Sequence, residues 1–249
     1  MKKYKAIIEY VGTNYCGMQK QKDNSIKSIQ SVVEDAISKF ANTNIEIEYS
    51  GRTDSGVHAI GQVIHFTLPD ERDEFKVLNG INFYLVEEDV VVKKVEKVDD
   101  DFHARFSAKT RRYLYRVLNT KTYSPLLKGR VYHYAYDINI EKMQTVANSL
   151  CGKKMDFSSL CSTESIKNVN PMRTINAIKI ERKGDEIHFY YDAKSFLHNM
   201  IRILTGILLE VGRGRIDIDD VWRILEQKHR PDKCETVPAC GLYFLETLY

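Results

Sequence analysis

Ser50-Gly51-Arg52-Thr53-Asp54-Ser55-Gly56-Val57-His58-Ala59 sits between two runs that read as strands, residues 45–49 and 62–66. Apolar and polar side chains alternate along residues 45–49, and residues 62–66 are rich in the apolar and aromatic side chains that strands favour. The ten residues themselves carry a guanidinium, a carboxylate and an imidazole, and Gly51 and Gly56 supply backbone freedom. Loops between rigid elements are where chemistry tends to be placed. A plainer reading stands open beside that one: a tight turn in which Asp54 or Thr53 caps a backbone amide.

Outward from this loop the pattern alternates between strands and helices. Before it, residues 5–10 read as a strand and residues 12–24 as a polar, glycine-punctuated loop. Ile29, Val32, Val33, Ala36, Ile37 and Phe40 then fall at helical spacing, with Ser28 placed as the N-cap. After it come the strand at 62–68, a weaker helix at 73–79 and a strand at 90–98. The rhythm repeats with a strand at 112–118, a helix at 140–150 and strands at 175–182 and 186–192. A long helix is expected from about Phe196, with His198, Arg202 and Thr205 on one stripe. A short helix at 218–226 precedes a last strand at 242–248. The reading is α+β, with two related units and a boundary near residues 102–107, dividing the chain into 1–105 and 106–249.

At 249 residues, 43% hydrophobic and 29% charged, the chain has the make-up of an ordinary globular protein with room for one large core or two modest ones. Its five cysteines, Cys16, Cys151, Cys161, Cys234 and Cys240, are scattered, with neither a CxxC pair nor a zinc spacing. That favours thiols in a reducing compartment. The N-terminus enters a strand at once, and no apolar run approaches the roughly 20 residues needed to span a bilayer. A cytoplasmic protein is expected.

A formal net charge of +3 decides nothing, but its distribution does. Residues 70–101 hold eleven acids against five bases, whereas residues 102–130 hold eight bases and no acid. Interleaved with Arg105, Lys109, Arg111, Arg112, Arg116, Lys121, Lys128 and Arg130 are Phe102, Phe106, Tyr113, Tyr115 and Tyr123. Cations among flat rings suit phosphate contact and base stacking. A solvated basic face with its aromatics in the core is the alternative.

Gly-Arg-Thr-Asp-x-Gly-Val-His-Ala followed by Gly-Gln-Val resembles the signature of the TruA-type tRNA pseudouridine synthases. Further segments resemble the same family: Glu9-Tyr10-x-Gly12, Tyr15-x-Gly17-x-Gln19, Ser28-Ile29-Gln30, the run from Asp101 to Ala108, Arg111-Arg112-Tyr113-x-Tyr115, Asp156-Phe157-Ser158, Arg173-Thr174-Ile175, Phe196-x-His198-x-Met200-x-Arg202 and Gly241-Leu242-Tyr243. Met18 and Cys16 depart from it, standing where aromatics are usual, which bears on RNA stacking at the first loop. The resemblance implies two ferredoxin-like halves forming a continuous, mainly antiparallel sheet flanked by helices, and a homodimer acting on uridines of the tRNA anticodon stem-loop.

It also implies roles. Asp54 is the nucleophile, Arg202 its cationic partner, and Tyr113 the ring against the target uracil. Arg52 fills the space left by the extruded uridine or contacts phosphate, and Leu242 forms an apolar wall or packs in the core. His58, His103, Arg105, Arg111 and Arg112 are assigned to RNA binding, His58 chiefly as a hydrogen-bond former that shapes the loop. The isomerisation needs no electron sink, so neither cofactor nor metal is expected. Three other readings stay open: a synthase of the same family with another uridine target, a catalytically silent tRNA-binding or folding protein, and a sugar-cleaving hydrolase. The last would want a second carboxylate as acid, and none stands out.

Overall fold

A computed structural model describes residues 1–21, 26–161, 166–228 and 235–249; Cys234 and the end of the expected 12–24 loop lie outside these. In chain order the elements are β1 (Lys2–Tyr10), α1 (Ile29–Ala41), β2 (Glu48–Tyr49), β3 (His58–Leu68), α2 (Glu74–Leu85), β4 (Val90–Lys97), β5 (Thr110–Leu118), β6 (Tyr132–His133), α3 (Ile140–Ser149), β7 (Lys154–Asp156), β8 (Met172–Lys183), β9 (Glu186–Ala193), α4 (Met200–Gly212), α5 (Ile218–Glu226) and β10 (Leu242–Leu248). They form two compact units, one of residues Met1–Arg111 with Tyr243–Tyr249 and the other of Arg112–Leu242.

The first unit runs strand, helix, two strands, helix, strand, and its strands lie in the order β4-β1-β3-β2. That is the ferredoxin-like arrangement. β1 pairs antiparallel with both β3 and β4, and β10 adds to β3 in parallel, Tyr243 facing His58 and Phe244 facing Ala59. Tyr4, Ala6, Ile8 and Tyr10 on one face of β1 are buried together with Ile29, Val33 and Ile37 of α1 and Val77 and Ile81 of α2. Ser28 caps α1 in a reciprocal box with Ser31, an arrangement worth about 1 kcal/mol.

In the second unit β5-β9-β8 repeat the first, third and second positions of the same scheme, with β7 beyond β8 and β6 beside β5. β8 and β9 form a long antiparallel pair, and α3 packs against β8. Its core gathers Met143, Phe157, Ile187, Phe189, Tyr191, Leu204 and Leu208.

Several boundaries differ from the sequence reading, among them β1, which starts at Lys2, and β8, which starts at Met172. The run 45–49 yields a ladder only at Glu48–Tyr49, because the Ile45 amide donates to Ser38 Oγ at 2.9 Å and the Ile47 amide to Glu34 Oε1 at 3.0 Å. Those residues are tied to α1 rather than to a strand. β3 begins four residues early, at His58, so the end of the quoted stretch belongs to a strand. α2 runs on to Leu85, burying Val77, Ile81 and Leu85 at successive turns. α4 begins at Met200 instead of Phe196, because Asn199 sits in the left-handed region at φ 62. His198 therefore precedes the helix, and only Arg202 and Thr205 of the expected stripe lie on it.

Candidate active site

The segment from Ser50 to Val57 is held through both its main chain and the hydroxyls of Ser50, Thr53 and Ser55. Its entry is fixed by Ser50, whose amide donates to Val63 O at 2.8 Å and whose hydroxyl donates to Gln62 Oε1 at 2.6 Å. Thr247 Oγ1 donates to the same hydroxyl at 2.9 Å, and Gln62 Nε2 donates to Gly51 O at 2.7 Å. Arg111 Nε donates to Ser50 O at 2.8 Å, and its Nη2 to Arg105 O at 2.8 Å. Further on, the Met18 amide donates to Thr53 O at 3.0 Å and the Val57 amide closes a turn on Asp54 O at 3.1 Å.

Two glycines of the preceding loop let that loop lie against this one. A Cβ on Gly12 would stand 1.9 Å from Val57 O, and one on Gly17, whose φ is +106, would stand 2.6 Å from Thr53 O. Gly56 turns the chain at φ 77. Gly51 is not in that region; what it contributes is its carbonyl. Thr53 is buried, and its hydroxyl pairs with Tyr10 OH at 2.7 Å instead of capping an amide. Burial pushes the Tyr10 phenol up to about 12, against the pull of its Thr53 and Gln62 hydrogen bonds, so it stays protonated.

This scaffold leaves Asp54 half-buried and Arg52 exposed. His58 has 1% of its surface exposed, accepts the Gly12 amide on Nδ1 at 3.0 Å, and lies 4.8 Å, centroid to centroid, from the Tyr243 ring. Shaping the loop fits that position; direct contact with RNA does not. Met18 is fully buried too, so its departure from an aromatic is a change of core packing and not of RNA stacking.

In the second unit Arg202 lies in the first turn of α4, half-buried, donating from Nε to Val237 O at 2.8 Å and from Nη1 to Asn199 Oδ1 at 2.9 Å. The left-handed Asn199 is thus both the start of the helix and the brace of its guanidinium. Tyr113 is buried, its ring edge-on to Phe196 at 5.3 Å. Leu242 is buried at the start of β10.

The basic strip is divided by strand geometry. Successive side chains of β5 point to opposite faces, which puts Tyr113 and Tyr115 on one and Arg112 and Arg116 on the other. The two arginines meet carboxylates of β9: Arg112 Nε reaches Asp192 at 2.9 Å, and Arg116 reaches both oxygens of Glu186 at 2.8 and 2.7 Å. Lys121 pairs with Asp137. Arg105, Lys109 and Lys128 remain exposed. Among the described residues no cluster of three or more His, Cys, Asp or Glu side chains is arranged to hold a metal, and no helix is long and apolar enough to cross a membrane.

The tRNA pseudouridine synthase family matches this chain over residues 6–107 and 146–249. Proteins named tRNA pseudouridine synthase A are similar along the whole length: that of Ehrlichia chaffeensis is 41% identical over 249 residues, covering 99% of this chain and 100% of that one. That of Caulobacter vibrioides is 39% identical over 253 residues, 100% of this chain and 99% of that one, and that of Anaplasma marginale 37% over 247, covering 99% and 100%. The chain belongs to the tRNA pseudouridine synthase family. The quoted motif and the spaced matches therefore reflect kinship, the α+β architecture is the fold of the pseudouridine synthases, and the family's chemistry is an isomerisation. Within the synthase motif, sequence reading named Asp54 and Arg52, offered Thr53 only as an amide cap, and gave Ser50 and Gln62 no task. The spacing of Gly-Gln-Val behind the loop was their only trace.

Proposed function

We propose that the protein is a cytoplasmic tRNA pseudouridine synthase that isomerises uridines of the anticodon stem-loop, with Asp54 as nucleophile. The reading is carried by the combination of full-length similarity to proteins of that name and a half-buried aspartate on a loop braced by hydrogen bonds with Val63 and Gln62 of β3, Met18, Arg111, Tyr10 and Thr247. Such bracing holds a reactive group in one geometry before substrate arrives, which is how a positioned carboxylate contributes to rate.

The chemistry balances within the substrate. The bond from uracil N1 to the ribose C1′ breaks, the base turns, C5 bonds to C1′, and the C5 proton leaves while N1 gains one. Asp54 supplies the attacking carboxylate, at C1′ or on the base, and accepting the C5 proton falls to it or to a neighbouring group. The guanidinium of Arg202 favours the ionised carboxylate. Tyr113 lies against the uracil with Leu242 as an apolar wall. Arg52 takes the place of the uridine swung out of the stem. Arg105 and Arg111 contact the RNA, as do His103 and Arg112. The protein works as a homodimer.

The test follows the departing proton. A tRNA transcript carrying tritium at uracil C5 is incubated with the protein, and released tritium is counted while pseudouridine is mapped chemically. Release with product in the anticodon stem-loop supports the proposal. Product confined to other uridines replaces the target, and binding without release makes the protein a silent tRNA binder.

A further inference from the structure

We propose that Phe106, Arg105 and His103 form a stacking platform for one unpaired nucleotide of the RNA. The proposal rests on the reading of the chain as a tRNA-binding enzyme and adds a contact that the catalytic assignments do not include.

Phe106 is 74% exposed although the segment that carries it is well anchored. Its neighbours are arranged around it. The Arg105 guanidinium carbon lies 5.5 Å from the ring centroid, and the His103 ring is 4.4 Å away at 44°. His103 Nδ1 accepts the amides of Arg105 at 3.2 Å and Phe106 at 3.4 Å, while its own amide donates to Ser107 Oγ at 3.0 Å and its carbonyl accepts the Ser107 amide at 3.0 Å.

Below this turn, His65 of β3 accepts the Ala104 amide on Nδ1 at 3.2 Å, and its ring stands 4.7 Å from that of His103. Ala104 is fully buried, and Arg111 Nη2 holds Arg105 O. The turn is therefore fixed at both ends while its aromatic and cationic tips face solvent. A rigid ring with a cation over it and no carboxylate in its segment is built for a partner that is flat and anionic. An exposed nucleotide is both: its base stacks on phenylalanine and its phosphate attracts the arginine. A docking protein would be met by the same ring, but the exposed Arg105, Lys109 and Lys128, in a run of residues 102–130 that holds no acid, favour a polyanion.

The test compares tRNA binding by the wild-type protein with Phe106→Ala, Phe106→Trp and Arg105→Gln, using fluorescence anisotropy over a range of salt. Truncating so exposed a ring leaves the melting temperature unchanged. Phe106→Ala is expected to weaken binding about 10-fold, the usual cost of one lost base stack, with no change in the salt slope, because no ion is displaced. Arg105→Gln lowers that slope by about one. Phe106→Trp retains affinity and adds indole emission that a short single-stranded uridine-rich RNA quenches.

Wild-type affinity in Phe106→Ala, or unquenched emission in Phe106→Trp, overturns the platform while tritium release by the wild-type protein keeps the synthase reading intact. Loss of dimer in Phe106→Ala at unchanged RNA affinity also overturns it, assigning the ring to a protein contact. Failure of the wild-type protein both to bind tRNA and to release tritium removes the platform and the synthase reading together.

Discussion

Gly12 lies so close to Val57 that a methyl group on its α-carbon would sit 1.9 Å from the Val57 carbonyl oxygen. No side chain fits there, because the obstructing atom is backbone. The Gly12 amide also donates to His58 Nδ1 at 3.0 Å, so the first loop and the end of the aspartate loop are joined through this one residue. Gly12→Ala must push the two apart. A loss of about 1–3 kcal/mol in stability is expected from such overpacking, with a larger fall in turnover because the displaced segment carries Asp54. Thermal melting and tritium release, measured on the same preparation, separate the two effects.

Arg202 makes two directed hydrogen bonds, to Val237 O and to Asn199 Oδ1, from different nitrogens of one planar group. Lysine carries the charge but cannot reproduce that fork. Arg202→Lys is expected to lower turnover about 100-fold, the order of loss that small misplacements of catalytic groups produce, while leaving the tRNA dissociation constant within a few-fold. Equal turnover would show that charge alone suffices.

Arg116 and Glu186 form a two-pronged pair, their side chains 25% and 15% exposed. Burial raises the Glu186 pKa, but the hydrogen bonds from Arg116 and His188 outweigh it and hold the carboxyl below its ordinary value. Glu186→Gln removes the charge of this partner of Arg116 in a partly dry place. A stability loss of about 1–3 kcal/mol follows, read by chemical denaturation, with tRNA affinity unchanged if this arginine serves the sheet and not the RNA.

His65 gives the protein an acid-sensitive joint. Burial, then the nearby charges of His103 and Lys3, lower its pKa from 6.5 to about 4. The unfolded chain therefore takes up a proton that the folded chain refuses, so the contribution is intact above pH about 6.5 and is lost as pH falls toward about 4. Denaturant midpoints should drop across that window, and His65→Gln should flatten the drop. An unchanged profile in the variant would assign the acid sensitivity to other groups.

How much of this was legible beforehand depends on what kind of signal each part leaves. The helical spacing of Ile29 to Phe40, the Ser28 cap, α5 and β10 were readable because periodicity and capping are local. Residues 45–47 misled for the opposite reason: their alternation is real, with Ile45 and Ile47 buried, but the Ser38 and Glu34 side chains take the amides a ladder would use. The start of α4 was hidden by Phe196 and Leu197, whose apolar pattern runs into the helix across a left-handed Asn199. In the site, Asp54 and Arg52 were visible from the motif. The contact of Gly12 with Val57 was not, because 45 positions separate them and only the fold brings them together. The split of the basic strip follows from strand alternation alone, and could have been drawn from the sequence.

The most direct measurement on the central claim is single-turnover conversion of a tRNA transcript by Asp54→Asn, with tRNA binding measured in parallel. The substitution keeps size and shape and removes the carboxylate, and the Asp54 carbonyl that closes the turn is untouched. Binding within a few-fold of wild type, with no pseudouridine formed and no tritium released, is the predicted result. Pseudouridine appearing at a measurable fraction of the wild-type rate would contradict the assignment of Asp54 as the nucleophile.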